Sequence, residues 1–188
     1  MSQTHCLLYT CINFSHSSMH NLPIGSKFPE IFNCFVEIPR GTHNKYEFDH
    51  ELGVMKLDRV LHSSMFYPVD YGYIPETLAD DGDPLDVLIV TDSPVIPGCL
   101  VEVRALGVLK MSDDKGLDDK ILAVATGNPH TKHIKTMKDV GQHTLDEIAN
   151  FFETYKILEK KETKLEGWFD LEEAHRLIKE AHANVKKK

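Results

Sequence analysis

An acidic loop between Asp80 and Asp86 is the strongest chemical signal in this chain of 188 residues. Three of its carboxylates, Asp81, Asp83 and Asp86, lie within six residues, and a glycine and a proline bend the chain between them. Carboxylates this close repel one another, and a cation is the natural compensation. Because the oxygen ligands occur without a neighbouring His or Cys, the loop predicts Mg²⁺ or Mn²⁺ rather than Zn²⁺. A solvated acidic turn is the alternative interpretation.

A second acidic group occupies residues 113–120, after a long apolar run. Asp113 and Asp118 flank a glycine-containing turn, which predicts the tip of a hairpin. If the two loops meet, their aspartates Asp81, Asp86, Asp113 and Asp118 would hold more than one ion. An EF-hand calcium loop is excluded, because that motif needs a ligand at its fifth position, where the first loop has a leucine.

Basic and aromatic residues are placed where they could neutralise a bound anion. Alternation in residues 45–49 puts Lys45 and Glu47 on one face of a strand, and Arg59 lies on the strand that returns from the same hairpin. Phenol, guanidinium and ammonium groups beside a metal cluster are what a polyphosphate requires. For each base a surface charge is the alternative, and for each tyrosine a place in the core. The other members of this set are Tyr67, Tyr71, Tyr73, Tyr155 and Lys156.

Short runs rich in β-branched and aromatic residues, separated by Pro, Gly, Asp and His, extend from residue 31 to about residue 125. Several short strands with close turns indicate an antiparallel sheet that curls into a barrel. The predicted strands are residues 31–38, 45–49, 54–61, 87–90, 100–110 and 121–125.

The last third of the chain has a helical period. Apolar residues recur at i, i+3, i+4 and i+7 in residues 145–155, and a similar pattern follows in residues 171–181. Strands first and helices last is an α+β order, mainly β, and we expect one domain over residues 19–188. The predicted helix starts are the capping-box pairs Thr144/Glu147 and Asp170/Glu173.

The net charge of −8 and the sequence pI near 5.7 argue against a general binder of nucleic acid or of anionic membranes, because such partners select basic surfaces. They do not exclude an anionic substrate, since one metal ion can bind both a carboxylate of the protein and a negatively charged substrate. No window approaches the roughly 18–20 apolar residues that a membrane span needs. We therefore expect neither nucleic acid nor a membrane as a partner.

Residues 1–18 contain no Asp, Glu, Lys or Arg, whereas signal peptides and mitochondrial presequences carry basic residues. We interpret this segment as an extension outside the domain, either disordered or upstream of a natural start at Met19. Four cysteines are present, Cys6 and Cys11 in the extension and Cys34 and Cys99 in apolar runs. Cys34 and Cys99 are spaced for neither a zinc site nor a disulfide framework, and we interpret them as small buried hydrophobic residues. A reducing cytoplasm is the expected location.

Taken together, these segments resemble the soluble family I inorganic pyrophosphatases of the bacterial type. Residues 81–87, Asp-Gly-Asp-Pro-Leu-Asp-Val, match the family signature at every position. The resemblance implies the family fold, which is α+β but mainly β: a five-stranded OB-like closed β-barrel with two C-terminal α-helices packed outside. The segments that carry the resemblance are residues 37–49, 58–60, 66–73, 81–86, 107–111, 113–120, 151–156 and 166–168.

The resemblance further implies hydrolysis of inorganic pyrophosphate to two orthophosphates by a metal-activated water, with Asp83 as the general base. The first activating metal would be bound by Asp81, Asp86 and Asp118. Asp86 would also hold a second metal, Asp113 with Asp118 the metal that arrives with the substrate, and Glu47 a further metal, mostly through water. The cofactor would be Mg²⁺, three to four ions per site, with Mn²⁺ or Zn²⁺ as substitutes.

The remaining roles concern the substrate and the assembly. The two phosphoryl groups would be held by Lys45, Arg59, Tyr71, Lys120, Tyr155 and Lys156, with Glu37 and Tyr67 as supporting residues. Bacterial members are usually hexamers, so a homo-hexamer is the expected assembly. A family lysine that precedes the Gly-Trp segment is ambiguous among Lys160, Lys161 and Lys164, and it is left unassigned.

Three other functions compete with this hypothesis. An OB-type nucleic-acid binder needs a basic groove with stacking aromatics, which the acidic balance disfavours. A metal-dependent phosphohydrolase for nucleotides or longer polyphosphates would use the same acids and bases. A non-catalytic homologue is disfavoured because the acids and bases are intact.

Overall fold

The structure, a computed structural model, describes residues 22–186 of the chain. Within these residues the chain forms nine strands, three α-helices and a 3₁₀ turn, Ile157–Glu159. The strands are β1 Ile31–Ile38, β2 Asn44–Asp49, β3 Val54–Val60, β4 Asp70–Tyr73, β5 Asp86–Val90, β6 Leu100–Asp113, β7 Gly116–Leu117, β8 Lys120–Ala125 and β9 Lys164–Phe169. The helices are α1 Met137–Val140, α2 Gln142–Thr154 and α3 Leu171–Val185.

Five strands pair in a ring, in which β1 pairs with β4, β4 with β5, β5 with β8, β8 with β6, and β6 again with β1. This ring confirms the predicted α+β, mainly β fold with a five-stranded OB-like barrel. The expectation of an antiparallel sheet is wrong at one pair, because β5 and β8 run parallel, with Asp86 opposite Lys120. A parallel pair needs a long crossover, and the 14-residue strand β6 lies within it.

Three strands, β4, β7 and β9, are missing from the predicted set. The segment that forms β4 has the Pro and Gly of a bend, but in the structure Gly72 instead allows β4 to lie very close to β1. A Cβ at Gly72 would lie 2.0 Å from the carbonyl oxygen of Phe35, so no side chain fits there. β9 pairs with β6 outside the ring.

The helices agree with the predicted order but not at every boundary. The predicted start of the first long helix at a Thr144 capping box is wrong, because α2 begins at Gln142 with Gly141 as its N-cap and has no side-chain cap. The start of α3 is confirmed. There the Asp170 carboxylate accepts a hydrogen bond of 3.1 Å from the backbone N–H of Glu173, which stabilises the first turn.

Both faces of the barrel strands are buried. On β8, Ile121 and Ala123 belong to one apolar cluster, whereas Leu122 and Val124 belong to another. The first cluster includes the apolar face of α3 and the second that of α2. Two-sided burial explains why these strands have continuous apolar sequences rather than alternating ones.

The expectations for residues 1–18, for a start at Met19 and for Cys6 and Cys11 concern residues outside the described range. One domain over residues 19–188 stays a prediction. Inside the described range, Cys34 and Cys99 are free cysteines, and Cys34 is buried. None of the helices between residues 22 and 186 combines the length and the apolar character that crossing a membrane requires.

Candidate active site

A cleft of about 440 Å³ opens where the acidic loop, the β6–β8 connection, the β2–β3 hairpin and the segment after α2 meet. It brings together residues that are far apart in the sequence. Twelve of the predicted site residues line it: Glu37, Lys45, Glu47, Arg59, Tyr71, Asp81, Asp83, Asp86, Asp113, Asp118, Tyr155 and Lys156. The other two, Lys120 and Tyr67, are buried next to lining residues.

The acidic loop between β4 and β5 is a closed turn. Ala79 donates its N–H to the carbonyl oxygen of Asp83 at 2.8 Å, and Gly82 adopts a φ of 92°, which favours glycine. The Asp83 N–H donates to a carboxylate oxygen of Asp81 at 3.1 Å. Asp83 is exposed to the cleft, while Asp81 is half-buried, and burial raises the pKa of the Asp81 carboxyl.

Lys120 is a fully buried lysine beside the aspartates. Its Nζ lies 2.7 Å from Asp86 Oδ2 and 2.7 Å from Asp118 Oδ1. The ammonium also lies over the rings of Tyr71 and Phe152. Burial lowers the pKa of Lys120, but the two carboxylates outweigh this effect and raise it, so the charge is retained. For Asp118, burial dominates over the lysine and raises the pKa of the carboxyl.

Asp113, at the end of β6, forms a second internal ion pair. Its carboxylate accepts a hydrogen bond of 2.6 Å from Nζ of Lys156, which follows α2. It also accepts the N–H of Lys115 at 2.8 Å, inside the hairpin tip. Burial raises the pKa of Asp113, but the hydrogen bonds from Lys156 and from the Lys115 N–H and the nearby ammonium charges together outweigh it, and the pKa is lowered.

The aspartates have the chemistry of a site for a hard cation. Among residues 22–186, no three His, Cys, Asp or Glu side chains converge closely enough to hold a metal ion. Lys120 and Lys156 instead neutralise three of the aspartates. Carboxylates from two loops nevertheless face one cleft, and burial raises the pKa of Asp81 and Asp118. A divalent cation would relieve this crowding of buried negative charge, so the donor set fits Mg²⁺.

The basic groups of the β2–β3 hairpin form a connected network. Lys45 and Arg59 are direct neighbours across the two strands. Lys45 pairs with Glu47 and lies 3.7 Å from Asp58, while Arg59 donates to Asp58 at 2.6 Å and to Glu159 at 3.1 Å. Sequence reasoning missed Glu159 of the 3₁₀ turn, whose side chain is 7% exposed. The available signal was its position shortly after the Tyr-Lys pair that follows α2.

The tyrosines line or support the cleft. The hydroxyl of Tyr71 donates to the Asp86 carboxylate, and burial raises the pKa of Tyr71, so it stays a neutral donor. Tyr155 is buried against Phe151, with stacked rings 5.1 Å apart. Tyr67 packs against Tyr71 and Phe151, with ring centroids at 5.8 Å and 4.8 Å, so it supports the lining tyrosine.

Glu37 lines the cleft from β1. Its carboxylate accepts the backbone N–H of Phe48 at 2.8 Å. Burial raises the pKa of Glu37 to about 7, although the hydrogen bond from Phe48 opposes the shift. Glu37 therefore connects the barrel with the hairpin that carries the basic groups.

Several lining residues were missed by sequence reasoning. Lys161 lines the cleft, whereas the other two candidates for the unassigned family lysine, Lys160 and Lys164, do not. For the other missed residues the sequence offered only weak indications, namely position in the hairpin turn or close to Glu47, Asp83 or Asp113. These missed residues are Phe48, His50, Pro84, Asp114 and Lys115.

Comparison with known proteins agrees with this geometry. Residues 34–186 match the family model described as inorganic pyrophosphatase. An inorganic pyrophosphatase of Halalkalibacterium halodurans is 51% identical over 158 residues, which cover 84% of this chain and 97% of the relative. That of Thermus thermophilus is 46% identical over 173 residues, which cover 90% of this chain and 99% of the relative. A crystal structure of the Thermus thermophilus protein superposes with a TM-score of 0.85, covering 88% of this chain and 97% of that one. The resemblance drawn from the sequence motifs is thereby confirmed, and the chain is an enzyme of the inorganic pyrophosphatase family.

Proposed function

We propose that the protein hydrolyses inorganic pyrophosphate to two orthophosphates. The observation that carries the proposal is the cleft, in which aspartates of two loops face the basic groups of the hairpin and of the segment after α2. Pyrophosphate carries nearly four negative charges, so its hydrolysis needs charge neutralisation and alignment more than covalent chemistry. Membership of the family and the names of the relatives support the same reaction.

Divalent cations are the proposed cofactors, with Mg²⁺ as the preferred ion and Mn²⁺ or Zn²⁺ as substitutes. We propose three to four ions per site, as the resemblance implies. Bound there, they would neutralise the substrate and lower the pKa of an attacking water. The proposed ligands are Asp81, Asp86 and Asp118 for the first ion, Asp86 for a second, Asp113 with Asp118 for a third, and Glu47, through water, for a further one.

Asp83 is the proposed general base. Its carboxylate is exposed in the cleft, whereas Asp86 and Asp118 are engaged by Lys120. The oxygen of the attacking water would form a bond to one phosphorus, and the bridging P–O bond would break with its electron pair on the departing phosphate. The proton of the water would pass to Asp83.

The phosphoryl groups would be held by cations and phenols around the cleft. Lys45, Arg59 and Lys156 would neutralise the leaving phosphate, and Tyr71 and Tyr155 would donate hydrogen bonds. For Lys120, contact with the substrate requires that its buried ammonium exchange one carboxylate partner for a phosphoryl oxygen. Glu37 and Tyr67 are proposed to support these groups.

The test is phosphate release from pyrophosphate, ATP and tripolyphosphate, each with Mg²⁺, with Mn²⁺ and with a chelator. We expect strong preference for pyrophosphate and no turnover in the chelator. Equal rates with ATP or tripolyphosphate would instead support the broader phosphohydrolase, and no release from any substrate would contradict an enzymatic function.

We also propose a homo-hexamer in the cytoplasm. Among the described residues, large apolar side chains are exposed on the hairpin and near it, which favours contact between copies of the chain. The free thiols of Cys34 and Cys99 support a reducing compartment. Size-exclusion chromatography with light scattering tests the assembly, and a monomer would contradict it. Cell fractionation tests the location. The exposed apolar residues include Leu52, Val54, Leu57, Val60, Phe66 and Ile96.

A further inference from the structure

The β2–β3 hairpin carries three of the proposed site groups but lies outside the hydrogen-bonded ring of the barrel. In the described part of the chain, β2 and β3 pair with each other and with no other strand. The positions of Lys45, Glu47 and Arg59 therefore depend on contacts between the hairpin and the barrel. Such contacts matter, because a displacement of about 1 Å in a substrate-positioning group can cost about a hundredfold in rate.

Phe48 supplies the apolar part of this connection. It follows Glu47 in β2, faces the opposite side of the strand and is 5% exposed. Its ring meets Phe35 of β1 edge-on, with 5.3 Å between centroids, and Phe35 lies 5.3 Å from Tyr73 of β4. These three rings form a buried cluster of their own, which we call the aromatic anchor. Met55, the cross-strand neighbour of Phe48, packs against it.

The backbone of Phe48 and the surface that receives its ring are also fixed. The Phe48 N–H donates to Oε1 of Glu37 at 2.8 Å. The approach of β4 to β1 at Gly72 sets the spacing of the two strands that carry Phe35 and Tyr73. Phe48 thus contacts the barrel in two ways, by a ring contact and by a hydrogen bond. Met55 and His50 of the hairpin add weaker contacts to the same cluster, and the His50 ring lies 6.3 Å from that of Tyr73.

The acidic side of the cleft is held by other contacts. The loop is closed by the bond from the Ala79 N–H to the Asp83 carbonyl, and the Leu85 N–H donates to the Thr77 hydroxyl at 2.9 Å. Neither contact involves the hairpin. A loosened hairpin would therefore displace Lys45, Arg59 and the water-mediated ligand Glu47, while Asp83 and the aspartate ligands of the two loops keep their places.

We infer that Phe48 is a positioning residue for pyrophosphate binding, which acts by fixing the basic groups of the hairpin over the cleft. The inference rests on the proposed function. Pyrophosphate carries most of its negative charge before the bridging bond breaks, so most of the attraction of those groups is already present in the ground state. Their displacement therefore raises KM more than it lowers kcat.

The test compares steady-state kinetics of Phe48→Ala, Phe48→Leu and the wild type with magnesium and pyrophosphate. Phe48→Ala is expected to raise KM about tenfold and to change kcat less than about threefold. Phe48→Leu keeps an apolar filling of the anchor and is expected to hold KM within about twofold of the wild type. In Phe48→Ala the backbone amides of β2 and β3 should exchange hydrogen faster, while those of β5 and β8 should not.

Phe32→Ala is the matched control. Phe32 lies on the same strand as Phe35 and is 1% exposed, but it belongs to the apolar cluster that includes α3. Its removal creates a comparable cavity away from the hairpin, so stability should fall while KM stays within about twofold. Leu52→Ala, at a side chain that is 69% exposed in the hairpin turn, controls for a change within the hairpin itself.

A double variant, Phe48→Ala with Arg59→Ala, adds a second measurement. Because Phe48 acts through the group that Arg59 supplies, the rise in KM should be smaller than the product of the two single effects. An unchanged KM in Phe48→Ala, an equal rise in Phe32→Ala, or a fully multiplicative double variant would each overturn the inference. If Phe48→Ala does not fold, Phe48→Val takes its place with the same criteria. An inactive wild type would refute the proposed function, whereas an active wild type with an unaltered KM in the variants refutes the positioning role alone.

Discussion

Lys156 and Asp113 form an ion pair in which both side chains are almost entirely buried, with exposed fractions of 9% and 6% and a separation of 2.6 Å between Nζ and Oδ2. Both groups are charged at neutral pH, since the pKa of Asp113 is lowered and that of Lys156 is raised. The pair therefore holds, side by side, an ammonium that can bind an anion and a carboxylate that can bind a cation. A ligand that binds to one of the two groups leaves the other free to bind a second ligand.

Lys156→Gln should therefore impair both functions of the pair. We expect kcat/KM for pyrophosphate to fall about a hundredfold, because truncation of one partner leaves a buried charge unpaired and removes a substrate contact. Steady-state kinetics at saturating Mg²⁺ would measure the loss. Lys160→Gln is the control, since this exposed lysine lies nearby without lining the cleft. Equal kinetics for the two variants would contradict the role of Lys156.

Asp83→Asn should separate chemistry from metal binding. If Asp83 is the base, kcat falls by about 10²–10⁴-fold, while binding of Mg²⁺ by calorimetry stays close to that of the wild type. Asp80→Asn, in the same loop but absent from the cleft lining, is the control for a change of loop charge. Near-normal hydrolysis by Asp83→Asn would exclude this base.

Lys120→Met should destabilise the protein in the absence of metal. It leaves Asp86 and Asp118 without their buried cation, and the free energy of unfolding should fall by about 3–5 kcal/mol in a chelator. Mg²⁺ should recover part of this loss, because a bound cation can take over the two carboxylates. Urea unfolding with and without Mg²⁺ measures both effects.

Lys110→Met is the matched control for that experiment. Lys110 pairs with Glu173 between β6 and α3, but both side chains are about one-fifth exposed. Loss of this ion pair should lower the free energy of unfolding by about 1 kcal/mol or less, and the change should not depend on Mg²⁺. If Lys120→Met lowers the free energy of unfolding no more than Lys110→Met does, the buried ion pair contributes no more to stability than the more exposed one.

Glu37 should make stability depend on pH. Its pKa is raised from 4.5 to about 7 by burial, so the folded state favours the neutral carboxyl. This contribution is fully present below pH 4.5 and is lost as the pH rises through about 7. Glu37→Gln keeps an oxygen acceptor for the Phe48 N–H but does not titrate. Between pH 5 and pH 8, the free energy of unfolding of the variant should therefore rise by up to about 3 kcal/mol relative to that of the wild type.

Urea unfolding of both proteins in a chelator at the two pH values measures this difference. Glu51→Gln, in the exposed hairpin turn, controls for the loss of one negative charge. Parallel pH profiles for the wild type and Glu37→Gln would contradict the assignment.

The chemistry of the site could be read largely from the sequence, because the aspartates lie in two compact loops with their own turn residues. Asp81, Asp83 and Asp86 need no distant contact to be recognised as a group. The distant partner of Arg59 could not be recognised in this way, since Glu159 is 100 positions away in the chain and its position shortly after the Tyr-Lys pair does not indicate a contact with Arg59.

The fold was harder to predict from the sequence at places where one local pattern is compatible with two different structures. Gly72 belongs to a segment that reads as a bend, but in a sheet the same glycine permits two strands to approach closely. The start of α2 was misplaced because Gly141 caps the helix without a side-chain hydrogen bond. The parallel pairing of β5 with β8 has no signature in the periodicity of either strand, since both directions give the same apolar run.

The register of Asp86 against Lys120 has a consequence for assembly of the barrel. Each residue begins its strand, and the two strands lie side by side. A slip of one residue would turn the side chains to the opposite face and bury the ammonium without its carboxylate, at a cost of several kcal/mol. The charged pair proposed to serve catalysis would then also destabilise barrels in which β5 and β8 pair in a shifted register during folding. Substitutions made there to change the chemistry should lower the yield of correctly refolded protein as well.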